Sequence, residues 1–213
     1  MADLILTATW ETLYMVILSV FFALIVGLPL GVLLFITEKD NIWEKPMFNN
    51  ILGGVINILR SIPFIILMIL LFPLTKIIVG RKIGITATIV PLSISAAPFL
   101  ARVTESSIRE IDKGVIESSL AMGASVFEII KMVLIPESLP SIISGITLTI
   151  INLIGYSAMA GAIGAGGLGD LAIRFGLYRY DLPIMLLSLV VIIILVQGIQ
   201  YIGTNLALKI DKR

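Results

Sequence analysis

Five long stretches of the chain are almost free of charge, and this pattern constrains the fold more than any other feature. Each stretch runs for 19 to 32 residues, and Arg60 is the single charged residue that falls in any of them. Because a helix needs about 20 largely apolar residues to cross a bilayer, we predict an all-α integral membrane protein with one transmembrane domain over residues 1–213. The five transmembrane helices are expected at about 13–36, 51–74, 83–101, 139–159 and 182–208.

The composition excludes several classes of protein. Hydrophobic residues make up 58% of the chain and charged residues only 14%, which is too little charge for the surface of a soluble enzyme. The chain contains no cysteine and no histidine, so it lacks the commonest metal ligand and the usual general base. We therefore expect no metal and no catalysis in this chain, and the net charge of +1 gives no reason to expect nucleic-acid binding.

The basic residues between the spans predict the orientation. If the N-terminus lies outside, the cytoplasmic segments 38–50, 102–137 and 209–213 contain nine Lys and Arg residues, and the external segments contain five. Cytoplasmic loops carry an excess of Lys and Arg. We therefore predict an external N-terminus and a cytoplasmic C-terminus.

Two glycines predict a close helix contact in the first span. Gly27 and Gly31 form a GxxxG motif, and this spacing lets a neighbouring helix approach closely in a membrane. We expect another helix to cross the first span at these residues.

Arg60 is the only ionisable residue predicted to lie inside a span. An arginine within the membrane often marks a functional site. Alternatively, Arg60 lies near a helix end and extends its charge to the membrane surface. The sequence leaves both interpretations open.

Residues 102–137 form the largest hydrophilic segment, and their local signals predict two short helices. Asp112 is a good N-cap for the first helix, and Gly123 suits the position just after its end. Ser125 and Glu128 match the Ser-x-x-Glu capping box that begins a second helix. Pro136 then marks the approach to the fourth span. The expected result is a helical hairpin with a tight corner at residues 123–125.

This corner is uncharged from Ser118 to Phe127, although charged residues flank it. A small apolar protrusion on a cytoplasmic loop would fit a cleft on a partner protein. The alternative is an amphipathic hairpin that lies on the membrane surface, but such hairpins are usually rich in Lys and Arg, whereas the charges here are mixed.

The same segment resembles the EAA signature of ABC importer permeases. That signature reads Glu-Ala-Ala, three residues, Gly, nine residues, then Ile-x-Leu-Pro, and Glu117, Gly123 and Pro136 match at the family spacing. Ser118 and Ser119 replace the two alanines. Residues 9–13, 60–67, 97–102 and 155–161 are similar to the methionine permeases within this family.

The resemblance implies a type I importer permease that docks its EAA loop into an ATPase subunit. The implied docking tip consists of Ala121, Met122, Gly123, Ala124 and Ser125, with Glu117 anchoring the tip electrostatically or by capping. The implied assembly contains a second copy of the chain, two ABC ATPase subunits and an extracytoplasmic methionine-binding lipoprotein. ATP and Mg²⁺ would be bound by the ATPase subunits and not by this chain.

The fourth span contains residues that suggest a translocation pathway. Asn152, Tyr156 and Met159 are spaced so that they share one face of a helix, and Ser157 adds a further polar group. We predict that this face lines the pathway and that Met159 from two copies closes it. The alternative is that these residues only pack the helix bundle.

Residues 164–169 form a GxGxxG string that resembles a nucleotide-binding motif. A dinucleotide site requires a preceding strand and an acidic residue about 20 residues further on. Here a predicted span precedes the string and Leu189 lies 20 residues after it. We expect a turn or re-entrant segment. The sequence also lacks the P-loop pattern, so the energy source must lie in another subunit.

These features together predict a non-catalytic permease subunit that imports methionine, L- and D-, across the bacterial cell membrane by alternating access. One alternative is an ABC permease for another small amino acid or related solute. A more distant alternative is a secondary transporter, although the spans lack the acidic residues that such proteins use for ion coupling.

Overall fold

The computed structural model describes residues 2–211, and every regular element in this range is helical. The all-α fold is therefore confirmed. Lys212 and Arg213, which contribute to the predicted charge bias, lie outside the described residues. The α-helices are α1 (Ala2–Ile36), α2 (Pro46–Ser61), α3 (Phe64–Leu70), α4 (Phe72–Val79), α5 (Ile85–Arg109), α6 (Lys113–Ala121), α7 (Val126–Ile129), α8 (Ile135–Gly161), α9 (Gly167–Ile173) and α10 (Leu182–Ile210). A π-helical segment joins α7 to α8 (Ile130–Leu134), and another follows α9 (Arg174–Tyr178).

Within the described range, four helical segments are long and apolar enough to cross a membrane. A fifth candidate is a broken span made of α2 and α3, whose axes differ by 103°. The predicted number of five is reached when this bent pair counts as one span. The four continuous segments are Ala2–Ile36, Ile85–Arg109, Val126–Gly161 and Leu182–Ile210.

The second predicted span, 51–74, is not one straight helix. Ile62 has extended backbone angles (φ −81°, ψ 122°) and ends α2, and α3 follows Pro63. The proline ring clashes with a helical conformation of the preceding residue. Ile62-Pro63 therefore breaks the span between Arg60 and Phe64, in the middle of the predicted stretch.

Two helices extend into the segment predicted as a loop. Helix α5 continues past residue 102 to Arg109, and Arg102, Glu105 and Arg109 pair along one face of this extension. On the other side of the loop, helical structure is continuous from Val126 to Gly161. Pro136 is the second residue of α8 and directly follows the π-helical segment Ile130–Leu134, so it does not separate the loop from the fourth span.

The GxxxG motif brings α1 and α5 into close contact, as predicted. A Cβ atom on Gly27 would lie 2.7 Å from the Leu100 Cβ, and one on Gly31 would lie 2.5 Å from the Ala101 carbonyl oxygen. These separations are too short for any side chain. The two helices form the centre of the bundle, and their buried residues include Met15, Leu92 and Leu100.

Candidate coupling loop and translocation face

Local hydrogen bonds shape the corner between α6 and α7 as the sequence predicted. The Asp112 carboxylate accepts a hydrogen bond from the Gly114 N–H at 2.7 Å and caps α6. Gly123 has a φ of 83°, which favours glycine. Ser125 and Glu128 form the complete capping box, with the Ser125 N–H donating to the Glu128 Oε2 at 2.8 Å. Both predicted helix starts are confirmed.

The capping box also affects the ionisation of Glu128. The Ser125 hydroxyl donates to the Glu128 carboxylate at 2.7 Å. This bond, together with the bond from the Ser125 N–H, lowers the pKa of Glu128 below its ordinary value. The continuous helical segment from Val126 to Gly161 has 36 residues, about 54 Å, which exceeds the hydrocarbon thickness of about 30 Å, so part of it extends beyond the hydrocarbon.

The tip of the hairpin presents apolar side chains to the surroundings. Met122 is 80% exposed and Phe127 is 70% exposed, and Leu120 is also exposed. Ala121, Gly123 and Ser125 lie at the same surface. Ala124 instead packs partly against the interior.

Beneath this tip, a buried cluster ties the hairpin to the ends of α1 and α5. Ile116 of α6 and Ile129 of α7 belong to one hydrophobic cluster with Phe35 of α1 and Ile108 of α5. Ile108 and Ile129 are completely buried. The hairpin is therefore packed onto the bundle at its base while its apolar tip stays uncovered.

Glu117 lies on the exposed side of α6. It lines a cavity of about 550 Å³ between α6 and the segment after α1, together with Lys39, Arg109 and Lys113. Asp112 and Ser125 make the helix caps here. Within residues 2–211 Glu117 makes no hydrogen bond or ion pair, so its anchoring role stays a prediction.

The sequence did not predict an ion-pair network at the C-terminal end of α5. Glu105 accepts from Arg102 at 2.7 Å and from Arg109 at 2.8 Å, and Arg109 also pairs with Glu38 at 3.1 Å. Arg102 further donates to the Gly53 carbonyl and the Asn57 side chain of α2. The i, i+3 and i, i+4 spacing within α5 was the available signal, but the partners on α2 and after α1 could only come from the fold.

The predicted pathway residues divide into two groups. Asn152 and Met159 are exposed in the single chain, and Tyr156 is partly exposed on the same face of α8. Ser157 is buried and donates to the Ile154 carbonyl, so it lies off this face. The Tyr156 ring stacks on Phe64 of α3, with 4.8 Å between the centroids.

Arg60 joins the same face from the broken span. It lies in the last turn of α2, so it is at a helix end, but that end is the break inside the predicted span. A cavity of about 200 Å³ is lined by Arg60, Phe64, Phe99 and Tyr156. The guanidinium lies over the Phe99 ring, 5.9 Å from its centroid.

The glycine-rich string forms a second corner, at the far end of α8. Gly164, Gly166 and Gly167 all have positive φ angles, and α9 follows, so the predicted turn is confirmed. The first amides of α9 are satisfied by α1: the Gly167 N–H donates to Glu11 at 2.7 Å and the Leu168 N–H to Thr12 at 2.9 Å. Glu11 and Thr12 lie in the string 9–13 that resembles methionine permeases, and the structure gives them this capping role.

Comparison with known proteins agrees with this architecture. The family described as "Binding-protein-dependent transport system inner membrane component" matches residues 27–206. The probable D-methionine transport system permease protein MetI of Vibrio cholerae is 50% identical over 212 residues, covering 100% of this chain and 94% of that protein. The methionine import system permease protein MetP of Bacillus subtilis is 50% identical over 206 residues, covering 97% and 93%.

The fold has a close counterpart among solved structures. A chain of the MetNI methionine ABC transporter in an inward-facing conformation matches with a TM-score of 0.98 and 44% identity, covering 100% of this chain and 98% of that chain. A chain of an amino acid ABC transporter matches with a TM-score of 0.79 at 17% identity, which shows a shared fold. The resemblance read from Glu117, Gly123 and Pro136 is confirmed, and a secondary transporter is no longer an alternative. The chain belongs to the family of binding-protein-dependent transport system inner membrane components.

Proposed function

We propose that this chain is the methionine-translocating permease subunit of an ABC importer. In this proposal two copies form the pathway, and two ABC ATPase subunits bind ATP and Mg²⁺ and hydrolyse the ATP. An extracytoplasmic lipoprotein delivers methionine, L- or D-, to the external side. The high identity to relatives that are named for methionine transport favours methionine over other small amino acids.

The observation that carries the proposal is the uncovered apolar tip on a firmly packed hairpin. Met122 and Phe127 are mostly exposed, whereas Ile116 and Ile129 beneath them are buried against α1 and α5. Exposed apolar groups on a rigid support are typical of a binding surface. We infer that Ala121 to Ser125 dock into the ATPase, with Glu117 beside them.

The helix that begins at this corner also suggests how closure of the ATPase subunits on ATP is transmitted to the pathway. Val126 to Gly161 is one continuous helical segment, with the docking corner at its start and Met159 near its end. A movement of the corner would therefore shift the face that carries Asn152, Tyr156 and Met159. Only contacts that differ between the two states can drive this change.

Uptake by the reconstituted permease–ATPase complex tests the proposal. Proteoliposomes with ATP inside and binding protein outside should accumulate radiolabelled methionine. Met122→Ser should reduce co-purification of the ATPase and lower uptake by about tenfold, because a central interface residue contributes on the order of 1–2 kcal/mol.

Met47→Ser is the matched control, since Met47 is 78% exposed at the start of α2. It should leave both measurements unchanged. Unchanged ATPase binding in Met122→Ser would disprove the docking role and favour the membrane-surface alternative. A wild-type complex without ATP-dependent methionine uptake would overturn the function itself.

The proposed closure of the pathway by Met159 has its own test. Met159→Ala removes the side chain proposed to close the pathway, so liposomes preloaded with methionine should lose it faster in the absence of ATP. Retention equal to wild type would show that Met159 only packs the bundle.

A further inference from the structure

Arg60 lacks an acidic partner in the structure. Arg102, Arg109 and Arg174 each form an ion pair with a carboxylate. Within the described residues, Arg60 forms no hydrogen bond or ion pair, and its guanidinium lies over the face of the Phe99 ring. Arg60 therefore differs from Arg102 and Arg109, which connect α5 to α2 and to the segment after α1.

Arg60 is exposed in the single chain and lies at the break between α2 and α3, inside the predicted second span. Its cavity is formed by the break in the second span, by Ser95 and Phe99 from the middle of α5, and by Tyr156 of α8. An ionised group among apolar residues at membrane depth is unfavourable unless it meets water or an opposite charge. Ionisable residues inside transmembrane segments mark substrate or ion pathways.

The cavity contains the groups that an apolar amino acid requires. Arginine offers paired N–H donors in the geometry that matches a carboxylate. Ile62, Phe64 and the Tyr156 ring provide apolar surface. The side chains of Asn152 and Tyr156 line an adjoining cavity and carry neutral oxygens that can accept hydrogen bonds from an ammonium group.

We propose that this cavity is a transient substrate subsite, in which Arg60 binds the α-carboxylate of the amino acid as it passes through the permease. The apolar side chain of the substrate would lie against Phe64 and Tyr156. This inference rests on the proposed function, since it assigns a binding step to the same pathway. It also explains why a charge is placed at the break in the span.

Substrate binding to the purified permease–ATPase complex tests the subsite. The binding of radiolabelled methionine to this complex is measured in the absence of the extracytoplasmic binding protein and of nucleotide. Unlabelled methionine and methioninol, which lacks the carboxylate, then serve as competitors. On the wild type, methioninol should compete at least about tenfold more weakly than methionine, because it cannot make the charge-assisted hydrogen bonds to Arg60.

Arg60→Gln should weaken methionine binding by about tenfold or more and remove the preference over methioninol. Arg81→Gln, in the segment between α4 and α5, is the matched control and should bind as the wild type does. Co-elution of Arg60→Gln with the ATPase on size exclusion checks that the variant has folded, and Arg60→Lys serves as a charge-retaining substitute should it fail to assemble.

Three results would overturn the subsite: equal competition by methioninol on the wild type, unchanged methionine binding in Arg60→Gln, or equal weakening of both compounds. The last result would indicate a structural role or a bound lipid phosphate. These outcomes differ from failure of the proposed function, which would appear as absent ATP-dependent uptake by the wild type.

Discussion

The helical segment from Val126 to Gly161 has a glycine-containing corner at each end, and the two corners are built differently. The corner at residues 122–125 is shaped by Asp112, Ser125 and Glu128, which bond groups two or three residues away. The corner at residues 162–166 leads into α9, whose first amides bond Glu11 and Thr12, 156 residues earlier in the chain.

This difference corresponds to two mechanical roles. The corner at residues 122–125 is shaped by hydrogen bonds between residues close in sequence, so it keeps its shape when the hairpin moves. This property suits a surface that docks a moving partner. A corner held by α1 connects the far end of α8 to the centre of the bundle. Gly161 and Gly169 add to this attachment, because α8 and α9 meet there backbone to backbone.

The largest expected effect comes from disturbing that backbone contact. Gly169→Ala places a methyl group against the backbone of Ala158, where no side chain can move aside. Overpacking of this kind costs about 1–3 kcal/mol or more. We expect a clearly lower thermal unfolding midpoint for the detergent-solubilised complex.

Gly54→Ala is the control for this change, since Gly54 is also helical and a Cβ atom there would meet nothing within 4 Å. Its unfolding midpoint should match or slightly exceed that of the wild type, because alanine is the better helix former. Equal midpoints for the two variants would mean that the α8–α9 contact is looser than the structure shows.

A smaller effect is expected from the long-range cap of α9. Thr12→Val keeps the side-chain shape but removes the oxygen that accepts from the buried Leu168 N–H. An unsatisfied buried donor costs about 1–3 kcal/mol. The unfolding midpoint should fall, and protease sensitivity should increase around α9.

Thr9→Val provides the comparison. The Thr9 hydroxyl donates only to the Ile5 carbonyl within α1, so its removal leaves no donor of another helix unpaired. If Thr9→Val lowers the midpoint as much as Thr12→Val does, the cap from α1 contributes little and the two corners are more alike than their geometry suggests.

Sequence reasoning succeeded where the interactions are local. Asp112, Gly123 and the Ser125–Glu128 box were predicted because a cap and its amide lie within one turn. A close helix contact at Gly27 and Gly31 was expected, because small residues let a neighbouring helix approach closely, but the identity of the partner helix, α5, came from the fold.

Sequence reasoning was incomplete where distant residues decide the structure. The break at Ile62-Pro63 is an exception: Pro63 is a local signal, but the length of the nearly uncharged stretch 51–74 led to the prediction of a single span. The contacts from Arg102 to Gly53 and Asn57 of α2, and from Arg109 to Glu38, depend on the fold. Glu11 and Thr12 gave no local sign that they cap a helix that begins at Gly167.

The smallest effect concerns the local corner and its ionisation. Ser125→Ala removes the hydroxyl that contributes most to the lowered pKa of Glu128, so that pKa should rise toward its ordinary value. The bond from the residue 125 N–H remains possible, so the return should be partial. Carbon-13 NMR titration of the labelled Glu128 carboxyl measures this shift.

The sign of the pH dependence follows from the lowered pKa. A carboxylate whose pKa falls on folding stabilises the folded corner above its ordinary pKa, and this stabilisation is lost as the pH falls through the lowered value. At neutral pH the capping box is therefore intact. Ser118→Ala is the control, because the Ser118 hydroxyl donates to the Val115 carbonyl and not to Glu128. An identical Glu128 titration in both variants would mean that the box does not persist in solution, and that the docking corner takes its shape only against the ATPase.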